Sequence, residues 1–303
     1  MADLSVKFAG VDFKNPVVPA SGTFGYGREY EPFYDLSLLG GLSTKGTTLK
    51  RRDGNPAPRV AETPSGMLNS VGLQNGGLDK FLNYELPNLE TKGTRIIANI
   101  AGATSEECAE LAAGLEGTSV DMIELNISCP NVKQGGAAFG TSCETAAAVT
   151  ASVRKATTKP LMVKLSPNVT DIVAIAKAVE AEGADALSLI NTLLGMRIDI
   201  NSRRPILRNN VGGLSGPAVF PVAVRMVWQV TNGVKIPVMG MGGISTAEDA
   251  IEMMMAGASC IQIGAALFRN PYAPIEIING MNEWCDKNGV KSITEIIGTV
   301  KPW

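Results

Sequence analysis

Short apolar runs and longer amphipathic stretches alternate along the chain. Eight runs read as strands: Val17–Ala20, Gly41–Thr44, Ile96–Asn99, Met122–Asn126, Leu161–Leu165, Ala186–Ile190, Val238–Met241 and Cys260–Ile263. Most are continuously apolar, the pattern of parallel strands covered on both faces. The stretches between them carry helix punctuation. Thr104-Ser105-Glu106-Glu107 reads as a capping box opening a helix toward Leu115. Thr170 is placed to cap a helix with apolar positions Ile172, Val173, Ile175, Ala176 and Val179, and Gly183 supplies its terminator. Thr246-Ala247-Glu248-Asp249 starts another, which Gly257 ends. Further helices are expected over Glu144–Ala156, Ala218–Thr231 and Ala273–Lys287. Eight β-then-α alternations predict an α/β chain folded as one (β/α)8 TIM barrel over residues 1–303, with inserted active-site loops. A doubly wound open sheet is the alternative. Three long Gly-, Asn- and Pro-rich stretches, Arg51–Asn75, Asn126–Gly140 and Asn191–Gly216, each follow a strand, where a barrel builds its site.

Composition narrows the function classes. With 27 basic and 29 acidic residues the net charge is -2, which excludes a strongly cationic nucleic-acid binder. An apolar content of 45% excludes a disordered chain. Histidine is absent, so Ser-His and Cys-His dyads, imidazole bases and His metal ligands are all ruled out. The five cysteines, Cys108, Cys129, Cys143, Cys260 and Cys285, form no C-x-x-C pair, so neither a zinc ribbon nor an iron–sulfur site is expected. Unpaired thiols fit a reducing compartment. The start Met1-Ala2-Asp3-Leu4 shows no signal pattern, and no apolar run reaches the roughly 18 residues of a spanning helix. A soluble cytoplasmic protein without metal is the expectation.

The polar residues fall in one phase. Ser21, Lys45, Asn99, Asn126, Lys164, Asn191, Gly242 and Gly264 lie at or just beyond the ends of eight different strands, which a barrel gathers at one mouth. Singly, each reads equally as a turn residue or a solvated tip. Gly240-Met241-Gly242-Gly243-Ile244 and Gly264-Ala265-Ala266 follow the last two strands, the usual phosphate position of barrels. The same glycines would also relieve crowding at tight turns. Lys164 interrupts an apolar strand, either as a buried cation suited to the N1/O2 edge of a flavin or as a lysine snorkelling to the mouth. Cys108, Cys143, Cys260 and Cys285 read as small buried apolar residues. Cys129 instead sits in the polar segment Asn126-Ile127-Ser128-Cys129-Pro130-Asn131. With no histidine present, its thiolate is a candidate base.

These residues carry a resemblance to the dihydroorotate dehydrogenases, FMN-dependent (β/α)8 barrels of pyrimidine biosynthesis. The resemblance spans essentially the whole chain and rests on Asn69-Ser70-Val71-Gly72-Leu73-Gln74-Asn75, Asn126 through Asn131, and Met239-Gly240-Met241-Gly242-Gly243-Ile244. Cys129 in place of Ser, and a barrel that begins almost at once, resemble the class 1 type. The segments Asn191 to Asp199 and Val132 to Gly140 resemble its NAD-linked 1B branch. That resemblance implies a catalytic subunit that oxidises dihydroorotate to orotate. A partner subunit carrying FAD and a [2Fe–2S] cluster would pass electrons to NAD+, in an assembly of two chains of each kind. It implies Cys129 as base at C5, with Lys164 and Lys45 as the other catalytic residues. It implies FMN contacts from Ser21, Lys45, Gly46, Asn99, Asn126, Lys164, Ile190, Gly216, Gly242, Gly243, Gly264 and Ala265, the last standing where many members have Thr. Substrate contacts would come from Lys45, Asn69, Ser70, Val71, Gly72, Leu73, Asn126, Asn191 and Thr192. A fumarate-linked class 1A enzyme, a dihydropyrimidine dehydrogenase-like barrel and a non-catalytic flavin-binding module are the alternatives.

Overall fold

A computed structural model describes residues 2–128 and 136–303. Cys129 and the segment through Gly135 lie outside the described residues.

Eight parallel strands form the centre: β1 (Val17–Pro19), β2 (Gly41–Ser43), β3 (Arg95–Ile100), β4 (Met122–Asn126), β5 (Leu161–Lys164), β6 (Ala186–Leu189), β7 (Val238–Met241) and β8 (Cys260–Ile263). All eight expected strands are present, displaced by one residue at most at either end. From β2 to β8 each strand pairs with the next in sequence, and β8 pairs with β1, so the order runs round a barrel. The open, doubly wound alternative would reverse strand order midway and is excluded. The seam between β1 and β2 is held by the Gly40 N–H donating to Val17 O at 3.2 Å. A Cβ at Gly40 would lie 1.9 Å from Asn15 O, so only glycine lets the two chains approach this closely.

The helices Ser105–Leu115, Cys143–Ala156, Ile172–Ala181, Phe220–Thr231, Ala247–Met255 and Ala273–Asn288 pack around the strands. Their inner positions repeat at helical spacing. Ile172, Ile175, Ala176 and Val179 are buried on one face of the third. Two caps differ from expectation. Asp171, not Thr170, caps Ile172–Ala181, accepting from Ala174 N–H at 3.0 Å. At Ser105–Leu115, Thr104 Oγ1 accepts from Glu107 N–H, but Glu107 reaches back to Ala103 N–H at 2.7 Å, which leaves the reciprocal box open. A carboxylate one residue off still satisfies an otherwise unpaired donor, so the end is capped all the same. Between β1 and β2 the alternation also departs from pattern, with a single 3-10 turn, Leu36–Leu38, in place of a helix. Cys108, Cys260 and Cys285 are buried as expected, whereas Cys143 is exposed at the first residue of its helix.

Two of the three long loops are partly strand. Val60–Thr63, Gly66–Asn69, Leu193–Gly195 and Gly212–Ser215 form a four-stranded antiparallel sheet joining residues far apart in the chain. At the other end of the barrel the hairpin Val6–Phe8/Val11–Phe13 lies across the strand starts. Its buried Phe8 and Phe13 rings meet edge to face at 6.3 Å, and Arg95 Nε–H donates to Asp12 O.

The helix after β7 has a complete capping box. Thr246 Oγ1 accepts from Asp249 N–H, and Asp249 Oδ2 accepts from Thr246 N–H. Thr246→Ala is expected to cost about 1 kcal/mol, a fall of roughly 2–4 °C in melting temperature. An unchanged thermal melt would show that this box contributes nothing.

Candidate functional site

The strands all point their C-terminal ends to one side, and a cavity opens there. Its wall gathers Ser21, Lys45, Gly46, Asn99, Asn126, Lys164, Ile190, Gly216, Gly242, Gly243, Gly264 and Ala265. Asn69, Val71, Gly72, Leu73, Asn191 and Thr192 line it as well. Ser70 does not. It is fully buried, its Oγ has no partner, and its backbone N–H donates to Arg59 O. Cys129 lies outside the described residues, but its neighbour Ser128 is buried and firmly tied. Ser128 Oγ donates to Asn126 Oδ1 at 2.9 Å and accepts from Asn191 Nδ2 at 2.8 Å.

The antiparallel sheet forms one side of the cavity through Val60, Met67, Leu214 and Ser215, none of which was foreseen from the sequence. Next to it, the turn Gly72-Leu73 has φ of 78° and 56°. A leucine held at positive φ stores strain, and here it points its side chain toward Gly46.

The glycine segments form a close-packed corner. Gly242 and Gly243 have φ of 126° and 80°. A Cβ on Gly243 would lie 2.7 Å from Phe220 Cβ and 2.9 Å from Gly216 O. Here the backbone approaches the helix Phe220–Thr231 as closely as it can. Around Gly264, by contrast, the nearest atoms to an added Cβ are 3.8 Å away, which leaves its backbone open to the cavity.

Among the described residues, the charged side chains on the wall are two lysines, and no carboxylate lines it. Lys45 is half-buried. Lys164 is 4% exposed and its Nζ donates to Ser21 Oγ at 3.3 Å. Lys164 is therefore a buried side chain on the cavity wall and not a solvated tip.

Beneath this floor lies a group that the sequence reading did not single out. β2, β4, β6 and β8 contribute Ser43, Glu124, Ser188 and Gln262 to one layer of the barrel interior. Glu124 is fully buried. Its Oε2 accepts from Ser43 Oγ and Asn99 Nδ2, both at 2.7 Å. Its Oε1 accepts from Ser188 Oγ at 2.8 Å and Gln262 Nε2 at 3.0 Å. Burial pushes the carboxyl up. The Lys164 ammonium and the donors of Ser43, Asn99 and Ser188 outweigh it and hold it below the ordinary value of 4.5. The available signal was one polar residue in each of four alternate apolar strands.

Comparison with known proteins bears on this site. A family model described as Dihydroorotate dehydrogenase matches residues 3–284. A protein of Desulforamulus reducens named "Dihydroorotate dehydrogenase B (NAD(+)), catalytic subunit" is 56% identical over 297 residues, 98% of each chain. A protein of the same name from Parabacteroides distasonis is 56% identical over 303 residues, 99% of each chain. Another, from Geobacillus kaustophilus, is 56% identical over 299 residues, 98% of this chain and 96% of its own.

The depressed Glu124 carboxyl gives acid sensitivity a definite sign. The unfolded chain takes up this proton more readily than the folded one. The stabilisation is therefore complete above the ordinary value of 4.5 and is lost as pH falls through it toward the folded-state value. Melting temperatures from about pH 5 down to about pH 3 should fall less steeply for Glu124→Gln than for the wild type. Parallel curves would contradict the depressed carboxyl.

Proposed function

The chain belongs to the dihydroorotate dehydrogenase family. From that premise we propose that it is the catalytic subunit of an NAD+-linked enzyme that oxidises (S)-dihydroorotate to orotate in de novo pyrimidine biosynthesis. The observation that carries the reading is a cavity whose charged wall residues, among those described, are both cationic, set among Asn69, Asn99, Asn126 and Asn191. Dihydroorotate brings a carboxylate and ring amides, which need a cation and groups able to both donate and accept.

Membership of the family implies a flavin, and the residues fit one. Asn99 Oδ1 is buried without a partner beside Gly46, an acceptor awaiting a donor. The backbone at Gly264 is open to the cavity, and Gly242 and Gly243 line it as well. FMN would be held by Ser21, Lys45, Gly46, Asn99, Asn126, Lys164, Ile190, Gly216, Gly242, Gly243, Gly264 and Ala265. Ala265 brings no hydroxyl, so a phosphate there would be met by backbone N–H groups. When bound, FMN supplies the acceptor for the hydride that leaves C6 of the substrate.

The chain's own residues do the rest. The Cys129 thiolate removes the proton from C5. Lys45 pairs with the substrate carboxylate. Asn69, Asn126, Asn191 and Thr192 and the backbone of Val71, Gly72 and Leu73 hold the ring so that both C–H bonds are aligned. Ser70 acts from below, fixing that loop through its backbone bonds to Arg59 and Asn55. The Asn126–Ser128–Asn191 linkage ties down Ser128, the last described residue before Cys129. Electrons leave through a partner subunit carrying FAD and a [2Fe–2S] cluster, two of each chain per assembly, in the cytoplasm. Among the described residues no helix is long and apolar enough to cross a membrane.

Anaerobic mixing of the flavin-loaded chain with dihydroorotate should bleach the flavin absorbance. Neither NAD+ nor fumarate alone should restore it until the partner subunit is added. Reoxidation by fumarate would assign the chain to the fumarate-linked type, and absence of bleaching would refute the substrate. Cys129→Ala should bind FMN normally and slow bleaching about 100- to 10,000-fold. Bleaching at the wild-type rate would remove Cys129 from the role of base.

A further inference from the structure

The interior of a (β/α)8 barrel is ordinarily filled by branched apolar side chains. Here the layer under the cavity is Ser43, Glu124, Ser188 and Gln262, with a carboxylate at its centre. A buried charge is costly unless it is paired and fully hydrogen-bonded. Among the described residues the other buried acid, Glu85, is salt-bridged by Arg28 and Lys80 on the outside of the barrel. Glu124 has instead four hydrogen-bond donors and, as its electrostatic partner, the Lys164 ammonium.

We infer that Glu124 is a positioning residue for the reaction. Its ionised carboxylate, one layer below the cavity floor, supplies the anion beneath the buried Lys164 side chain and turns the Asn99 carboxamide so that its oxygen faces the ligand. The inference rests on the proposed flavin site and deepens it.

Two arguments carry it. The first concerns charge. Lys164 is 4% exposed, and among the described residues the cavity wall offers it no anion. The charged groups facing this region are Lys164 from β5, Lys45 from the segment after β2, and Glu124 from β4. With Lys45 also cationic, Glu124 is the group that balances the floor. The second concerns orientation. An ionised carboxylate only accepts hydrogen bonds, so the edge of Asn99 turned toward it must be the amide NH2. The Asn99 oxygen then faces Gly46 on the cavity wall, 2.9 Å from where a Cβ on that glycine would stand. That oxygen has no protein partner and is offered to a ligand N–H. If Glu124 were neutral, its own O–H would compete for this geometry and the amide would lose its fixed direction.

Charge pairing is tested first by stability, without flavin or substrate. Lys164→Met leaves Glu124 as an uncompensated buried anion, so the full-length Glu124→Gln/Lys164→Met chain should melt several degrees above Lys164→Met alone. A double variant that melts no higher overturns the inference. This comparison stands whether or not dihydroorotate bleaches the wild type, so failure of the proposed substrate is read separately. It also carries the test if Glu124→Gln alone does not fold.

Function is tested with Glu124→Gln. Gln262 Oε1 has no partner, so that carboxamide can turn over and accept from the new NH2, and the substitution removes charge while keeping shape and bonds. Glu124→Leu cannot accept from the Asn99 amide and should weaken FMN binding at least tenfold, and Glu124→Gln, which can accept, should restore it. FMN binding by Glu124→Leu as tight as by the wild type overturns the role assigned to the carboxylate.

Discussion

Barrel closure is the constraint on which the rest depends. Eight short strands buried on both faces cannot leave edges, because an unpaired N–H or C=O away from water costs the full desolvation of that group. The ring closes at the β1–β2 seam, where Gly40 lets two backbones meet without a Cβ between them. Because all strands are parallel, closure gathers eight C-terminal ends at one mouth and leaves the eight starts to be covered by the Phe8–Phe13 hairpin. Packing and chemistry are thus assigned to opposite ends of the same strands.

Closure also fixes what lies beneath the mouth. Alternate strands must supply the interior layers, and here β2, β4, β6 and β8 supply hydrogen-bonding groups. A Leu or Val layer would pack with less risk, since a half-satisfied polar network is worse than an apolar core. This layer avoids that penalty because both Glu124 oxygens are doubly bonded. Its remaining defects are Asn99 Oδ1, which faces Gly46 on the wall, and Gln262 Oε1.

What the sequence made legible follows from burial. Strands covered on both faces read as continuous apolar runs, so all eight were visible and in order. The same burial hid Glu124, Ser43, Ser188 and Gln262. Each is one polar residue in an apolar run, and their common phase emerges only when alternate strands are set side by side. The antiparallel sheet was missed for the opposite reason. Leu193–Gly195 and Gly212–Ser215 are short, glycine-rich and partly exposed, so they show neither a clear period of two nor an apolar run. The converging polar residues at the strand ends were legible because strand ends are few. Ser70 was carried along with its motif, although its neighbours and not its own side chain line the cavity.

The charges are arranged in depth. A carboxylate on the wall would neutralise the lysines and repel an anionic ligand at contact distance. Placed one layer down, Glu124 balances Lys164 through the strand wall and presents nothing negative to the cavity. The two cations then divide by depth: Lys164 is locked into the floor against Ser21, while Lys45 is half-buried beside the open side of the site. A flavin accounts for the first, since charge builds on its ring edge.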